Sequence, residues 1–336
     1  MSSQQLNRRT FIQKLGAGAV GIGMATALPE VLRAGVRNGM RYRTLGRTGL
    51  KVSEITLGAD FINSDKANIV HEALSQGINY IDTAWGYGQG KSEEVIGQVV
   101  KSMGIRDEVY LATKASGVRK GTPEEVEAQI NAKVEESLKR LQTEYIDILF
   151  CPHGARRAEH TPSEAIAAAM NKLKEAGKVR FFAVSTHRNY AETATTAIQS
   201  GFYDVVMVVL NVATLVPDLR AKTNDLLIKK EEEKAKQEGR APKKVRLCED
   251  MSEVLRLAKA KNVGLISMKA ARKDFVLPEV HELVKARFAK DSKLSTHQIC
   301  YRYILDMAEV SAVCVGMSAL QHLEEALVLP GETLKG

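Results

Sequence analysis

The chain has 336 residues, 44% of them hydrophobic, which is enough to bury a large core and too apolar for a disordered chain. Net charge is +8, but the 48 basic residues are interleaved with 40 acidic ones and no aromatic–basic ladder accompanies them, so nucleic acid is not an expected partner. The four cysteines, Cys151, Cys248, Cys300 and Cys314, form no C-x-x-C pair; a metal site has no support, and free thiols are expected.

Residues 1–30 read as a targeting segment. Basic Arg8 and Arg9 precede an apolar, Gly/Ala-rich run over 15–28, and Ala25-Thr26-Ala27 supplies small residues at a cleavage-like spacing. The Arg8-Arg9 pair with Phe11 resembles the twin-arginine (Tat) export signal, which implies the Tat machinery as a partner and a periplasmic destination. The run is too short and glycine-rich for a stable membrane span after processing. An ordinary amphipathic arm is the alternative. Gly16, Gly18 and Gly21 match G-x-G-x-x-G, but no strand precedes them, so the dinucleotide fingerprint is rejected.

From residue 41 the chain turns regular. Residues 41–50 read as a hairpin. Short β-branched or apolar runs follow at 53–58, 79–83, 109–114, 145–150, 179–185, 204–211, 263–269 and 310–315, several of them continuously apolar, as strands covered on both faces are. Helical patterns lie between, including 123–141 behind Thr122 and 163–176 ended by Gly177. Eight strand–helix units over 41–330 predict an α/β fold, a (β/α)₈ TIM barrel with an N-terminal hairpin. The 214–249 stretch after the sixth strand is a long charged insertion; a solvated helix is expected, with a lid as the alternative.

Asp82 ends the second strand, Tyr87 follows in Asp82-Thr83-Ala84-Trp85-Gly86-Tyr87, Lys114 ends the third strand, and His153 follows the fourth. All four fall at one end of a barrel, where barrel enzymes build their sites. The set suits carbonyl reduction. A phenol with pKa near ~10 is a weak acid at neutral pH, and an ammonium ~4 Å away favours its ionised form by roughly 1–4 kcal/mol. Asp82 would hold Lys114 charged, and His153 would orient the carbonyl oxygen.

These segments, with Arg43-Thr44-Leu45-Gly46-Arg47-Thr48-Gly49, Tyr145-Ile146-Asp147, Gly177-Lys178-Val179-Arg180, Val184-Ser185 and Gly316, resemble the aldo-keto reductase family from Arg41 to about Leu327. The resemblance implies reduction of a small aldehyde or ketone by NADP(H), with NAD(H) the alternative. It also implies cofactor contacts at Ser185, Thr186, Met207, Met268, Lys269, Gly316, Ser318 and His322. Several of these depart from the family pattern. Pro152 stands where the family has its histidine, so His153 is one residue late and needs a bulge before it. Thr186 replaces an asparagine, Met207 a glutamine and Met268 an aromatic residue. The last loop offers only His322 to a 2′-phosphate, with Ala326 in place of an asparagine and Arg272 or Lys273 as other sources of charge. A second reading follows: a barrel that holds the cofactor as a redox sensor or assembly partner with little turnover. A barrel with neither activity nor cofactor is the third.

Overall fold

The computed structural model describes residues 40–118, 121–158, 162–271, 277–288 and 293–327. The targeting segment 1–30, the decoy glycines 16, 18 and 21, and the basic pair Arg272 and Lys273 lie outside them.

A two-stranded antiparallel hairpin, β1 (Tyr42–Thr44) and β2 (Lys51–Ser53), precedes eight parallel strands: β3 (Ile55–Gly58), β4 (Tyr80–Asp82), β5 (Tyr110–Lys114), β6 (Ile146–Phe150), β7 (Val179–Ser185), β8 (Val205–Val209), β9 (Gly264–Met268) and β10 (Ala312–Gly316). They pair in chain order, and β10 closes on β3, making a (β/α)₈ barrel. The eight predicted strands are all present; 179–185 keeps its bounds, and the others shift by one or two residues at one or both ends. Ser53 is the clearest shift. It pairs with Tyr42 in the hairpin, not within the first barrel strand.

The hairpin plugs the N-terminal end. Leu45 is fully buried beneath the barrel. Gly46 sits at φ +48°, and a Cβ there would come within 2.2 Å of the Gly264 backbone nitrogen, so only glycine fits this crossing. Arg43 donates to the Met307 and Val310 carbonyls and to Glu54, which also accepts from Arg41. Part of the family-like motif therefore serves the barrel's base. Asp147 is similar: its carboxylate takes Arg106, Arg180 and the Leu111 amide.

Helix Pro123–Leu141 begins as expected, with Thr122 and Glu125 in a reciprocal capping box. Helix Glu164–Glu175 is capped by Ser163. The charge run after the sixth barrel strand falls in helix Pro217–Gln237, largely solvated. Its return segment is bonded down: Asn224 exchanges two hydrogen bonds with Cys248, the Glu249 amide donates to Tyr190, and the Glu249 carboxylate accepts from the Ala191 amide. All four cysteines are free thiols. Among the described residues no helix is long and apolar enough to cross a membrane.

Candidate active site

Strand ends place the groups. Asp82 is the last residue of β4 and Lys114 the last of β5, two neighbouring strands, so both side chains meet at the C-terminal mouth. Lys114 Nζ donates to Asp82 Oδ2 at 2.7 Å and to the Thr83 carbonyl at 2.7 Å, and both side chains are almost wholly buried. Such a pair holds because each charge is compensated; removing one partner is costly. Tyr87 arrives through a tight turn in which its amide donates to Ala84 and its carbonyl accepts from Ser92. Ser92 also bonds Thr83 and the Ala59 carbonyl, fixing that loop at its far end. The Lys114 ammonium lies 4.7 Å from the Tyr87 ring centroid.

One expectation is corrected here. Lys114 does not tip Tyr87 toward its ionised form. Burial and the nearby Asp82 charge push the phenol well above its ordinary value, because the ammonium spends its short contacts on Asp82 and Thr83. Tyr87 is held as a neutral acid that keeps its proton. Asp82 is itself raised, by burial, against the opposing pull of Lys114.

His153 reaches the mouth by a detour. Phe150 pairs with Ala183 and Ala155 with Thr186, so two more residues lie on this strand than on its partner. The extra residues loop out at 151–154 and carry His153. The Gly154 amide bonds Ser185 Oγ at 2.9 Å, and Tyr203 bonds the Cys151 carbonyl. His153 Nδ1 lies 2.9 Å from Ser116 Oγ, and the ring meets His187 edge-on with centroids 5.7 Å apart. Burial and the Lys114 charge lower His153 to about 4. His187 falls to about 3, from burial and the nearby Lys269, His153, Arg246 and Lys114. Both rings are neutral at pH 7.

The other residues singled out in the sequence line the same rim. Ser185 pairs with Met207 across β7 and β8, and the Thr186 amide bonds the Met207 carbonyl. Met268 ends β9 and is nearly buried, and Lys269 follows it in a left-handed conformation, φ +62°. Gly316 ends β10 under the Phe61 ring. Ser318 bonds His322 Nδ1 through its amide and hydroxyl, so His322 is tied to its own loop and exposed. Thr186 Oγ1 and Asn211 Nδ2 are buried without a hydrogen-bond partner among the described residues. An unpartnered hydroxyl and amide on adjacent strand ends suit a ligand that brings its own amide, so this rim fits a nicotinamide. Among the described residues no group of His, Cys, Asp or Glu is placed to hold a metal ion.

Sequence reasoning missed Ser116, Asn211 and the pairing of His187 with His153. Ser116 lies two residues beyond Lys114, and His187 directly follows Ser185-Thr186, so proximity to strand ends was the available signal. Their contacts depend on loop paths that no periodicity encodes.

Fold and site together define a TIM barrel with its buried ion pair and its tyrosine at the strands' C-terminal ends. The Aldo/keto reductase family pattern matches residues 54–236, more than half of the chain, and the chain belongs to that family. It is 40% identical over 158 residues to the aldo-keto reductase YhdN of Bacillus subtilis, covering 44% of this chain and 47% of that protein, about half its length. It is 28% identical over 311 residues to L-galactose dehydrogenase of Arabidopsis thaliana, covering 85% and 86% of the two chains. A probable voltage-gated potassium channel subunit beta from the same plant is 31% identical over 158 residues, 44% of this chain and 46% of that one. Among solved structures, the holo form of an aldo-keto reductase from Bacillus halodurans superposes with TM-score 0.66 at 23% identity, covering 88% and 93%, which speaks to the fold.

Proposed function

We propose that the chain is an NAD(P)H-dependent reductase of aldehydes or ketones, with Tyr87 as proton donor, Lys114 and Asp82 as its electrostatic support, and His153 as the group that orients the carbonyl. The observation that carries this reading is the buried Lys114–Asp82 pair, at 2.7 Å, beneath the Tyr87 ring. A bound reduced nicotinamide supplies the hydride. Ser185, Thr186 and Asn211 would take its amide, Met207 and Met268 would lie against its apolar faces, and Lys269, Gly316, Ser318 and His322 would follow the rest of the nucleotide. The chain's own work is proton delivery. A substrate oxygen gaining negative charge is a far stronger base than a carbonyl, so the raised phenol gives up its proton only as reduction proceeds. Lys114 then stabilises the phenolate left behind, at the moment when its charge counts most. Neutral His153 donates a hydrogen bond without adding a charge that would compete with Lys114. Its Nδ1 is engaged by Ser116, which leaves Nε2 to face the substrate.

NADP(H) is the preferred form in this reading and NAD(H) the competitor, with Lys269, directly after β9, as a cation for the pyrophosphate that both share. Purified chain assayed with NADPH and NADH against aldehydes, ketones and sugars tests it. Turnover of at least one carbonyl is expected, and an empty panel with both nucleotides contradicts it. The thioethers at Met207 and Met268, with the likeness to a channel beta subunit, favour one alternative: a barrel that holds the cofactor and turns over slowly as a redox sensor. Tight nucleotide binding without steady-state turnover is its signature.

The Arg8-Arg9 segment supports a further proposal, export through the Tat machinery to the periplasm. Because such substrates fold before transport, the cofactor would cross with the protein and exchange slowly. Substituting both arginines by lysine should keep the chain in the cytoplasmic fraction, and unchanged fractionation contradicts the proposal.

A further inference from the structure

We propose that Lys133 and Trp85 form an anion-binding subsite beside the reacting centre, so that the favoured carbonyl substrates carry an acidic group; the substrate half of this statement rests on the reductase reading. A cavity of about 140 Å³ opens between the loop after β4 and helix Pro123–Leu141. At about 30 Å³ per water, it holds a carboxylate or phosphate with a few carbons attached. Its lining includes Lys114 and Ser116, so it adjoins the group under Tyr87 and the group that holds His153.

The cations around it are not equivalent. Lys114 is committed to Asp82. Arg140 is committed to the buried Glu93 at 2.7 Å and, more weakly, to Glu136 at 3.4 Å, which occupies the acid on this wall as well. Lys133 lines the same cavity and makes no ion pair among the described residues. Its charge also acts on the fully buried Cys151 thiol just past β6, opposing the burial that pushes the thiol up to about 12. Trp85, 48% exposed, lines the same cavity with an aromatic surface against which the carbon chain of a ligand can lie while its charge meets the ammonium. A long lysine stem left unpaired over a partly desolvated cavity is the arrangement that gains most from an incoming anion.

Trp85 is also the chain's single tryptophan, so selectively excited tryptophan emission comes from this cavity's lining and not from the nine tyrosines. The first test titrates the full chain, with and without nucleotide, with butyrate, inorganic phosphate and neutral butanamide. A saturable change with the anions and none with butanamide is expected. Lys133→Ala should weaken it about tenfold, and Lys133→Arg should retain it. Equal responses to butanamide and butyrate, or wild-type affinity in Lys133→Ala, would overturn the subsite. The second test compares kcat/KM for succinic semialdehyde with butanal, and for glyceraldehyde 3-phosphate with glyceraldehyde. Preference for the acidic partner of one pair identifies its headgroup as carboxylate or phosphate. In Lys133→Ala that preference should drop about tenfold, with the neutral aldehyde changed less than about twofold. A preference that survives the substitution contradicts the proposal. If no carbonyl of the wider panel is turned over, the reductase reading fails, and the fluorescence titration still decides the subsite.

Discussion

From β4 to β6 the barrel mouth is built of charge and short hydrogen bonds. Asp82 holds Lys114, Lys114 lies under Tyr87, Ser116 holds His153, and Ser92 ties the tyrosine loop down at three points. From β7 to β10 the same rim carries thioethers, a tied-down histidine, and two buried polar atoms with no partner, on Thr186 and Asn211. The first half sets its charged groups on one another, although Asp82 Oδ1 is also buried without a partner among the described residues. Under the proposed function, proton delivery needs groups pre-set to a fraction of an ångström, which a buried ion pair and short hydrogen bonds provide. Cofactor binding spreads over a long surface, where one lost amide contact costs little and can be offset elsewhere.

Breaking the first half should have the largest effect. Lys114→Met leaves Asp82 buried without its cation, and a loss of about 3–5 kcal/mol is expected in urea denaturation, with turnover lost as well. Adding Asp82→Leu should recover much of the stability and none of the turnover. If Lys114→Met alone is as stable as wild type, the ion pair is not the strut described here.

The two imidazoles give a smaller, pH-dependent effect. An unfolded histidine titrates near ~6.5, whereas His153 and His187 titrate at about 4 and about 3 in the folded chain. Between those limits the unfolded state binds more protons, so stability should fall as pH drops from about 6.5 toward 4. The contribution is on the order of 2 kcal/mol per imidazole, allowing for partial solvent screening. His187→Asn should flatten that slope in melts taken across the range. Parallel curves for the two proteins would mean that His187 is not a buried neutral ring. Turnover should show no ionisation near pH 6.5 from His153, since the ring stays neutral well below it.

The smallest effect sharpens the second half. Met207→Gln is close to volume-conserving and places an amide beside Thr186. Nucleotide binding should tighten about threefold to tenfold in a fluorescence titration, while the buried amide costs the nucleotide-free chain about 1–3 kcal/mol of stability. Unchanged affinity would mean the nicotinamide does not lie against β8.

The difference between the halves also explains what could be read in advance. The barrel was legible because eight apolar runs with helical spacers have few other ways to pack, and helix 123–141 with its Thr122 cap came out residue for residue. Asp82, Tyr87 and Lys114 were legible because two of them end strands and the third follows one closely. The position of His153 after the fourth barrel strand was legible, but the expected bulge of one residue is a loop-out of two, which depends on Ser185, Tyr203 and the Ala155–Thr186 bridge, all distant in sequence. The direction of the Tyr87 shift was misread for a similar reason. Pairwise charge reasoning sees Lys114 near Tyr87, but burial and the prior claim of Asp82 on that ammonium decide the outcome.

The proposed function makes hydride arrival and Tyr87 proton delivery one reaction on this chain. Single turnover with a nicotinamide deuterated at its hydride-donating carbon tests it most directly. Wild type should place deuterium on the carbinol carbon of the product. Tyr87→Phe should bind the nucleotide within about twofold of wild type, yet form that product about 10²–10⁴ times more slowly. Deuterium transfer at an unchanged rate in Tyr87→Phe would contradict the account.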